Sequence, residues 1–246
     1  MLARLPTRAE REPIVGEGLG GDETTAIDRA AEDAILERVR DAAGAIVSEE
    51  VGRLGGVAPP LVVVDPIDGS LNAKRGIPFF SLSIAVAEGE TMEDVVFGFV
   101  HDFGSREEWT ARRGEGAWLN GRSLGAERPK DEVEILSFEA TRTSLVARDA
   151  PKVAELAHRL RIMGSLALSL CHLAAGRVDA VCSLKPARSV DIAAAQLLCR
   201  ELGLAVDLFD VDDPFGTAPL DLEQRSRVVA AGSTEVCNRL AIALRG

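Results

Sequence analysis

The stretch LVVVDPIDGSLNAKRGIP, from Leu61 to Pro78, constrains this chain most tightly. Four apolar residues, three of them Val, run into two aspartates three apart, then a glycine and a hydroxyl. Val62, Val63 and Val64 suit a strand covered on both faces, because β-branched side chains pack well on a pleated surface. Pro66 removes a backbone donor and fixes φ, so the chain turns in one defined way. Asp65 and Asp68 therefore leave a buried strand at its carboxyl end, where ligands gather in open α/β sheets. Two carboxylates held that close repel each other unless a positive charge sits between them. Hard divalent cations, which take oxygen ligands, fill that role. Gly69 lets backbone approach a ligand closely. A helix-like start directly after it would aim free N–H groups outward, an anion site. Ser70 begins a short polar turn that Gly76 and Pro78 end. The same letters also fit a strand followed by an Asp-Gly turn with no chemistry.

The 246 residues allow one large domain or two small ones, and 46% hydrophobic content is ample for a packed core. No apolar run approaches the roughly 20 residues that span a bilayer. Met1 to Glu12 is charged and lacks the apolar centre of a signal peptide, which predicts a cytoplasmic protein. A formal charge of −11 argues against a nucleic-acid-binding surface. With no tyrosine and 4% aromatic residues, a stacking platform for bases is excluded too. Cys171, Cys182, Cys199 and Cys237 have no C-x-x-C spacing and read as reduced core residues, not a zinc site.

Apolar periodicity predicts a helix over Thr24 to Ala43, with Ile27, Ala31, Ile35 and Val39 on one stripe. Ala45 to Ser48 is a strand ending in Glu49 and Glu50. Phe80 to Ala87, Asp94 to His101, Glu107 to Arg112 and Ala117 to Leu119 form an antiparallel meander, with Asn120-Gly121 as a hairpin turn. The second half alternates strand and helix: strand Val133 to Phe138, helix Pro151 to Leu160, short strand Arg161 to Met163. A helix follows from Ser165 to Ala175, closed by Gly176, then a strand at Asp179 to Leu184. Val190 to Leu202 is a helix ending at Gly203, and Val228 to Ala231 and Val236 to Leu244 close the chain as strand and helix. The chain divides into an N-terminal α+β half (1–126) and a C-terminal α/β half (127–246) of one compact unit.

Three more acidic positions could join the first pair. Glu49-Glu50 lies just past a strand; as plain structure it is an exposed acidic loop. Asp191 opens the helix VDIAAAQLLCRELG, where the helix dipole alone favours a carboxylate. Ala193, Ala194 and Ala195 let that helix pack tightly. Asp28 lies on the first helix after the polar entry GDETT and fits plain surface as well.

In combination these motifs resemble the inositol monophosphatase superfamily of magnesium-dependent, lithium-sensitive sugar phosphatases. The matching residues are Glu49-Glu50, DPIDGS at 65–70, VDIAAAQLL at 190–198, GIPFFSLSIAV, and RIMGSLALSLCHLAAGRVDA at 161–180. The likeness runs from Gly16 onward. The run SLNAKRGIP points toward archaeal-type enzymes that act as both fructose-1,6-bisphosphatase and inositol-1-phosphatase. The resemblance implies an α+β layered sandwich (α/β/α/β/α), here with a truncated first helix, and a homodimer. It implies two Mg2+ ions, with room for a third near Glu49, and Mn2+ as a substitute. Glu49, Asp65 and the carbonyl of Ile67 would hold one ion; Asp65, Asp68 and Asp191 the second. Ser70, hydrogen-bonded to Asp28, would orient water activated at the metals, with Glu49 assisting as base. The phosphate would rest on Asp68, Gly69 and Ser70, and Arg161, Leu166 and Lys185 would line the sugar side. Nucleotide phosphatase activity on 3′-phosphoadenosine phosphates or the 2′-phosphate of NADP, histidinol phosphatase activity, and a non-catalytic metal-binding homologue are the alternatives.

Two features depart from that pattern or compete with it. Only LARLPTRAERE precedes GEGLGG, where relatives carry a first helix. Gly16, Gly18 and Gly21 match G-x-G-x-x-G, with Asp41 near dinucleotide spacing. Only Ile14-Val15 precedes that loop, too little for the required strand, and Glu17 would repel a pyrophosphate.

Overall fold

The structure, a computed structural model, describes residues 4–19, 23–56, 58–139 and 142–245. A single helical turn, α1 (Arg8–Arg11), stands where a longer first helix is expected. Strands β1 (Ile14–Glu17) and β2 (Glu23–Thr25) pair antiparallel. The glycine motif therefore starts a two-stranded ribbon, not the parallel unit a dinucleotide fold needs; Gly21 lies outside the described residues. Thr24 and Thr25 belong to β2, which shortens the first long helix, α2, to Ala26–Val39. Thr25 caps α2, and Asp28 at the third helical position closes the capping box.

Eight strands form the first sheet. They are β3 (Ala45–Ser48), β4 (Gly52–Gly55), β5 (Leu61–Asp68), β6 (Ser81–Ala87), β7 (Val95–Asp102), β8 (Glu108–Arg112), β9 (Gly116–Leu119) and β10 (Arg122–Ser123). Their order is β10-β9-β8-β7-β6-β5-β3-β4, and only β3 and β5 run parallel. A six-residue helix, α3 (Ser70–Arg75), leaves β5 through Gly69, whose φ of +93° suits glycine alone. Asn120 and Gly121 both take positive φ, as a type I′ hairpin turn requires.

The second half builds a five-stranded sheet. Its elements are β11 (Val133–Glu139), α4 (Thr143–Asp149), β12 (Ala157–Arg161), α5 (Leu166–Ala174), β13 (Ala180–Ser183), α6 (Ser189–Glu201), β14 (Ala205–Leu208), β15 (Val228–Ala231) and α7 (Thr234–Arg245). The order is β12-β11-β13-β15-β14. The expected helix over Pro151 to Leu160 is absent. Helix α4 comes earlier, a 3-10 turn covers Ala150–Val153, and Ala157 to Arg161 instead pairs parallel with β11. Val153, Leu156, Ala157 and Leu160 have helical spacing, yet all four pack on the core of the second sheet. The open edge of β11 outweighs local periodicity. Strand β14, in a stretch of no clear pattern, is likewise claimed by β15.

Helices α5 and α6 fill the space between the two sheets. Helix α2 packs outside the first sheet, and α4 and α7 outside the second. The result is the expected five-layer sandwich. Ala193, Ala194 and Ala195 are buried on α6, and Gly98 of β7 lies so close that a Cβ there would meet the Ala194 carbonyl at 2.5 Å. Among the described residues no helix is long and apolar enough to cross a membrane. All four cysteines are buried thiols.

Candidate active site

Strand register assembles the acidic cluster. Ser48 of β3 pairs with Val64 of β5, so Glu49, the next residue, stands beside Asp65. Asp65 is 1% exposed, and its Oδ1 accepts a 2.9 Å hydrogen bond from the Ile67 amide. The ladder with β6 is irregular between Asp65 and Asp68, which turns Asp68 toward α5. There Ser165 Oγ donates to Asp68 Oδ2 at 2.5 Å, and the Ala167 amide at 2.7 Å. Asp191 sits in the first turn of α6, its Oδ2 accepting from the Arg188 amide at 2.7 Å.

Burial and mutual repulsion make this cluster uncomfortable when every carboxylate is charged. Glu49 is pushed up to about 7, by burial first and by Asp191 and Glu50, against the opposing pull of Arg188. Burial, then the charge of Asp191, takes Asp68 to about 7 despite its bonds to Ser165 and Ala167. Asp65 is raised well above the usual carboxylate range by burial and by the charges of Glu49, Asp68 and Asp191. The guanidinium of Arg188 answers part of this. One nitrogen, Nη2, reaches Glu49 Oε1 at 2.5 Å and Asp191 Oδ1 at 3.2 Å. Burial works against its charge, but Asp191, Glu49 and Asp65 together hold it firmly protonated.

These donors fit a hard divalent cation. All are oxygens, they come from rigid elements, and the raised values of Glu49, Asp65 and Asp68 mark a deficit of positive charge. Among the described residues no three His, Cys, Asp or Glu side chains converge in ligating geometry. Arg188, lying between Glu49 and Asp191, supplies a cation in their midst.

Other expected site residues fall differently. Ser70 is not bonded to Asp28: its Oγ donates to the Ile67 carbonyl at 3.0 Å. Asp28 Oδ2 is taken by the Thr25 amide and hydroxyl, at 3.0 and 2.5 Å, because the helix cap claims it first. Asp28 Oδ1 is buried with no hydrogen-bond partner. Leu166 is buried beside the Asp68 contacts. Arg161 lies exposed on the edge strand β12, donating to the Leu160 carbonyl, whereas Lys185 lines a cavity that Arg161 does not reach.

Three contributors were not read from the sequence. Arg188 could have been found as the residue three before Asp191, the cap partner of a helix-starting carboxylate. Ser165 was legible only as a helix start. Buried Glu139, at the end of β11, accepts from Ser137 and Ser169 hydroxyls at 2.9 and 2.7 Å and from the Gly164 amide at 2.8 Å. It thus fixes the turn that presents Ser165 to Asp68, and burial pushes its own carboxyl up.

The model of the inositol monophosphatase family matches residues 5–245. The chain belongs to that family. It is 31% identical over 232 residues to the fructose-1,6-bisphosphatase/inositol-1-monophosphatase of Methanocaldococcus jannaschii, covering 93% of this chain and 88% of that one. It is 38% identical over 192 residues to the Nus factor SuhB of Pasteurella multocida, covering 74% and 70%. A solved inositol monophosphatase–fructose 1,6-bisphosphatase superposes with a TM-score of 0.86 at 29% identity, covering 99% of this chain and 93% of the other. Inositol monophosphatase family membership thus rests on nearly the whole chain.

Proposed function

We propose that the protein is a magnesium-dependent phosphatase acting on phosphate monoesters of sugars or polyols, with fructose-1,6-bisphosphate and inositol-1-phosphate as its substrates. The observation that supports this reading is that buried Asp65 feels the charges of Glu49, Asp68 and Asp191, just before the Gly69–Ser70 helix start. Glu49, Asp65, Asp68, Asp191 and the Ile67 carbonyl would hold the metal, which when bound supplies Lewis-acid charge to the phosphoryl group and a stronger nucleophile at neutral pH. The amides of Gly69 and Ser70 receive the phosphate oxygens and steady the charge that builds up on them. Ser165 and the Ala167 amide lock Asp68 in one rotamer, so a ligating oxygen keeps its place. Glu49, at about 7, sits in the range where a carboxylate accepts a proton usefully at neutral pH. Lys185 offers a second cation to a doubly phosphorylated substrate.

The test is phosphate release from fructose-1,6-bisphosphate and inositol-1-phosphate, side by side, with magnesium. Turnover of both, abolished by chelator and by Asp68→Asn, is the expected result. No turnover of either substrate rejects the assignment.

A further inference from the structure

One turn ties the two sheets together. Met163, Gly164 and Ser165 lead from β12 into α5, and this turn is gripped from both sides. From α3, Asn72 Nδ2 donates to the Met163 carbonyl at 2.7 Å and to the Phe79 carbonyl at 2.8 Å. From the second sheet, Glu139 at the end of β11 accepts from the Gly164 amide on Oε2 at 2.8 Å. Its Oε1 accepts from the hydroxyls of Ser137 and Ser169, at 2.9 and 2.7 Å. Ser169 Oγ also lies 2.8 Å from the Ser165 carbonyl. The turn presses on the start of α3 as well, since a Cβ on Gly69 would meet the Gly164 carbonyl at 3.0 Å.

Burial works against a charge on Glu139, and the amide and two hydroxyls aimed at its carboxylate offset that. Its main chain is fixed too. Glu139 pairs with Ser183 of β13, and its carbonyl accepts from the Leu184 amide at 2.8 Å. The side chain is therefore a rigid post on the second sheet, and the turn hangs from it. Ser165 leaves that turn and donates to Asp68 Oδ2, as the Ala167 amide does from the first turn of α5. Asp68 itself rides on the first sheet. A displaced turn would draw both donors off it. Support of this kind orients a ligating carboxylate, and its loss costs about 10–100-fold in metal affinity. What the turn needs from Glu139 is an acceptor at the right reach, which glutamine also has.

We propose that Glu139 is a positioning residue for the carboxylate cluster: by its reach, not its charge, it holds the Met163–Ser165 turn so that Ser165 and the Ala167 amide aim Asp68 at a bound cation. The role toward a cation rests on the metal reading above; the grip on Asp68 does not. Two measurements on the full chain test it. The first is magnesium binding by calorimetry. Glu139→Gln keeps the length, a carbonyl for the Gly164 amide and an NH2 that the serine hydroxyls can accept, so it should bind within about threefold of the parent. Glu139→Asp keeps the charge but is one methylene shorter, and should bind about tenfold or more weakly. Because Glu139 acts through Ser165, adding Ser165→Ala to Glu139→Asp should weaken binding by no more than about threefold further. Ser169→Ala, which removes one donor that seats Glu139, should weaken binding in the same direction if Glu139→Asp does not fold. Glu139→Asp with a lowered Tm and the parent's magnesium affinity would make the role merely structural and overturn the proposal. So would the reverse order of the Gln and Asp variants, or fully additive losses with Ser165→Ala. The second measurement is hydrogen exchange in chelator, which needs no metal. Glu139→Asp should speed exchange of the Gly164 and Ala167 amides about tenfold and leave that of Cys171, a turn further along α5, unchanged. An unaffected Ala167 amide overturns the proposal. A parent that binds no magnesium refutes the metal reading instead, and the exchange arm still decides whether Glu139 holds Asp68 in place.

Discussion

Asp68→Asn should stabilise the metal-free chain at pH 8, although it removes two charge-assisted hydrogen bonds. Asp68 moves from an ordinary 3.8 to about 7 in the folded state, through burial and the charge of Asp191. The native chain therefore holds a proton that the unfolded chain has already released between those values. Native stability is fully present below pH 3.8 and falls as pH rises through about 7. At roughly 1.4 kcal/mol per tenfold, the full penalty is about 4 kcal/mol; partial exposure and screening reduce it to about 2–4 kcal/mol. Asparagine carries no charge, and its carbonyl can still accept from Ser165 Oγ or the Ala167 amide. Urea unfolding with chelator at pH 8 should show the variant more stable by about 2 kcal/mol or more, and at pH 4 the two should coincide within about 0.5 kcal/mol. A variant no more stable than the parent at pH 8 would refute the picture of a cluster lacking positive charge.

Arg188→Gln should do the reverse, costing about 3 kcal/mol in chelator at pH 8 because buried carboxylates lose their cation. Saturating magnesium should return much of that loss, read as a Tm that recovers on titration. Gly98→Ala should lower Tm by several degrees, since its Cβ would meet the Ala194 backbone at 2.5 Å and neither partner can give way cheaply. Lys185→Ala should raise KM for fructose-1,6-bisphosphate more than for inositol-1-phosphate in steady-state assays; equal effects would remove it from contact with a second phosphate.

Local chemistry was the legible part. The valine run, Pro66 and Gly69 lead from sequence to a buried strand, a sharp exit and a short helix, as the structure has them. Asn120-Gly121 specifies its turn for the same reason. What stayed hidden depends on distant partners. Ala157 to Arg161 carries a helix-like stripe but joins β11, because a free strand edge is worth more than periodicity. Ser70 and Asp28 were expected to bond each other, yet each turns to a partner three residues away, Ser70 to the Ile67 carbonyl and one oxygen of Asp28 to Thr25. Spacing to Asp191 could flag Arg188 as a helix cap, but its bond to Glu49, 139 positions away, shows only in the structure. Glu139 reaches the site through Gly164 and Ser165, a link across two elements that no spacing announces.

Glu49, Asp65 and Asp68 ride on one sheet, whereas Asp191 rides on the helix wedged between sheets. The ligand set proposed above is thus split across a seam of the architecture and would work as a caliper on the spacing of two layers. Any cation that all four carboxylates grip must rivet α6 to the first sheet. Loading the site should therefore slow hydrogen exchange along α6 and β5 together, far beyond the residues that touch the ion. A thickening of the middle layer by one methyl group, well away from the acids, should register first as weakened cation binding.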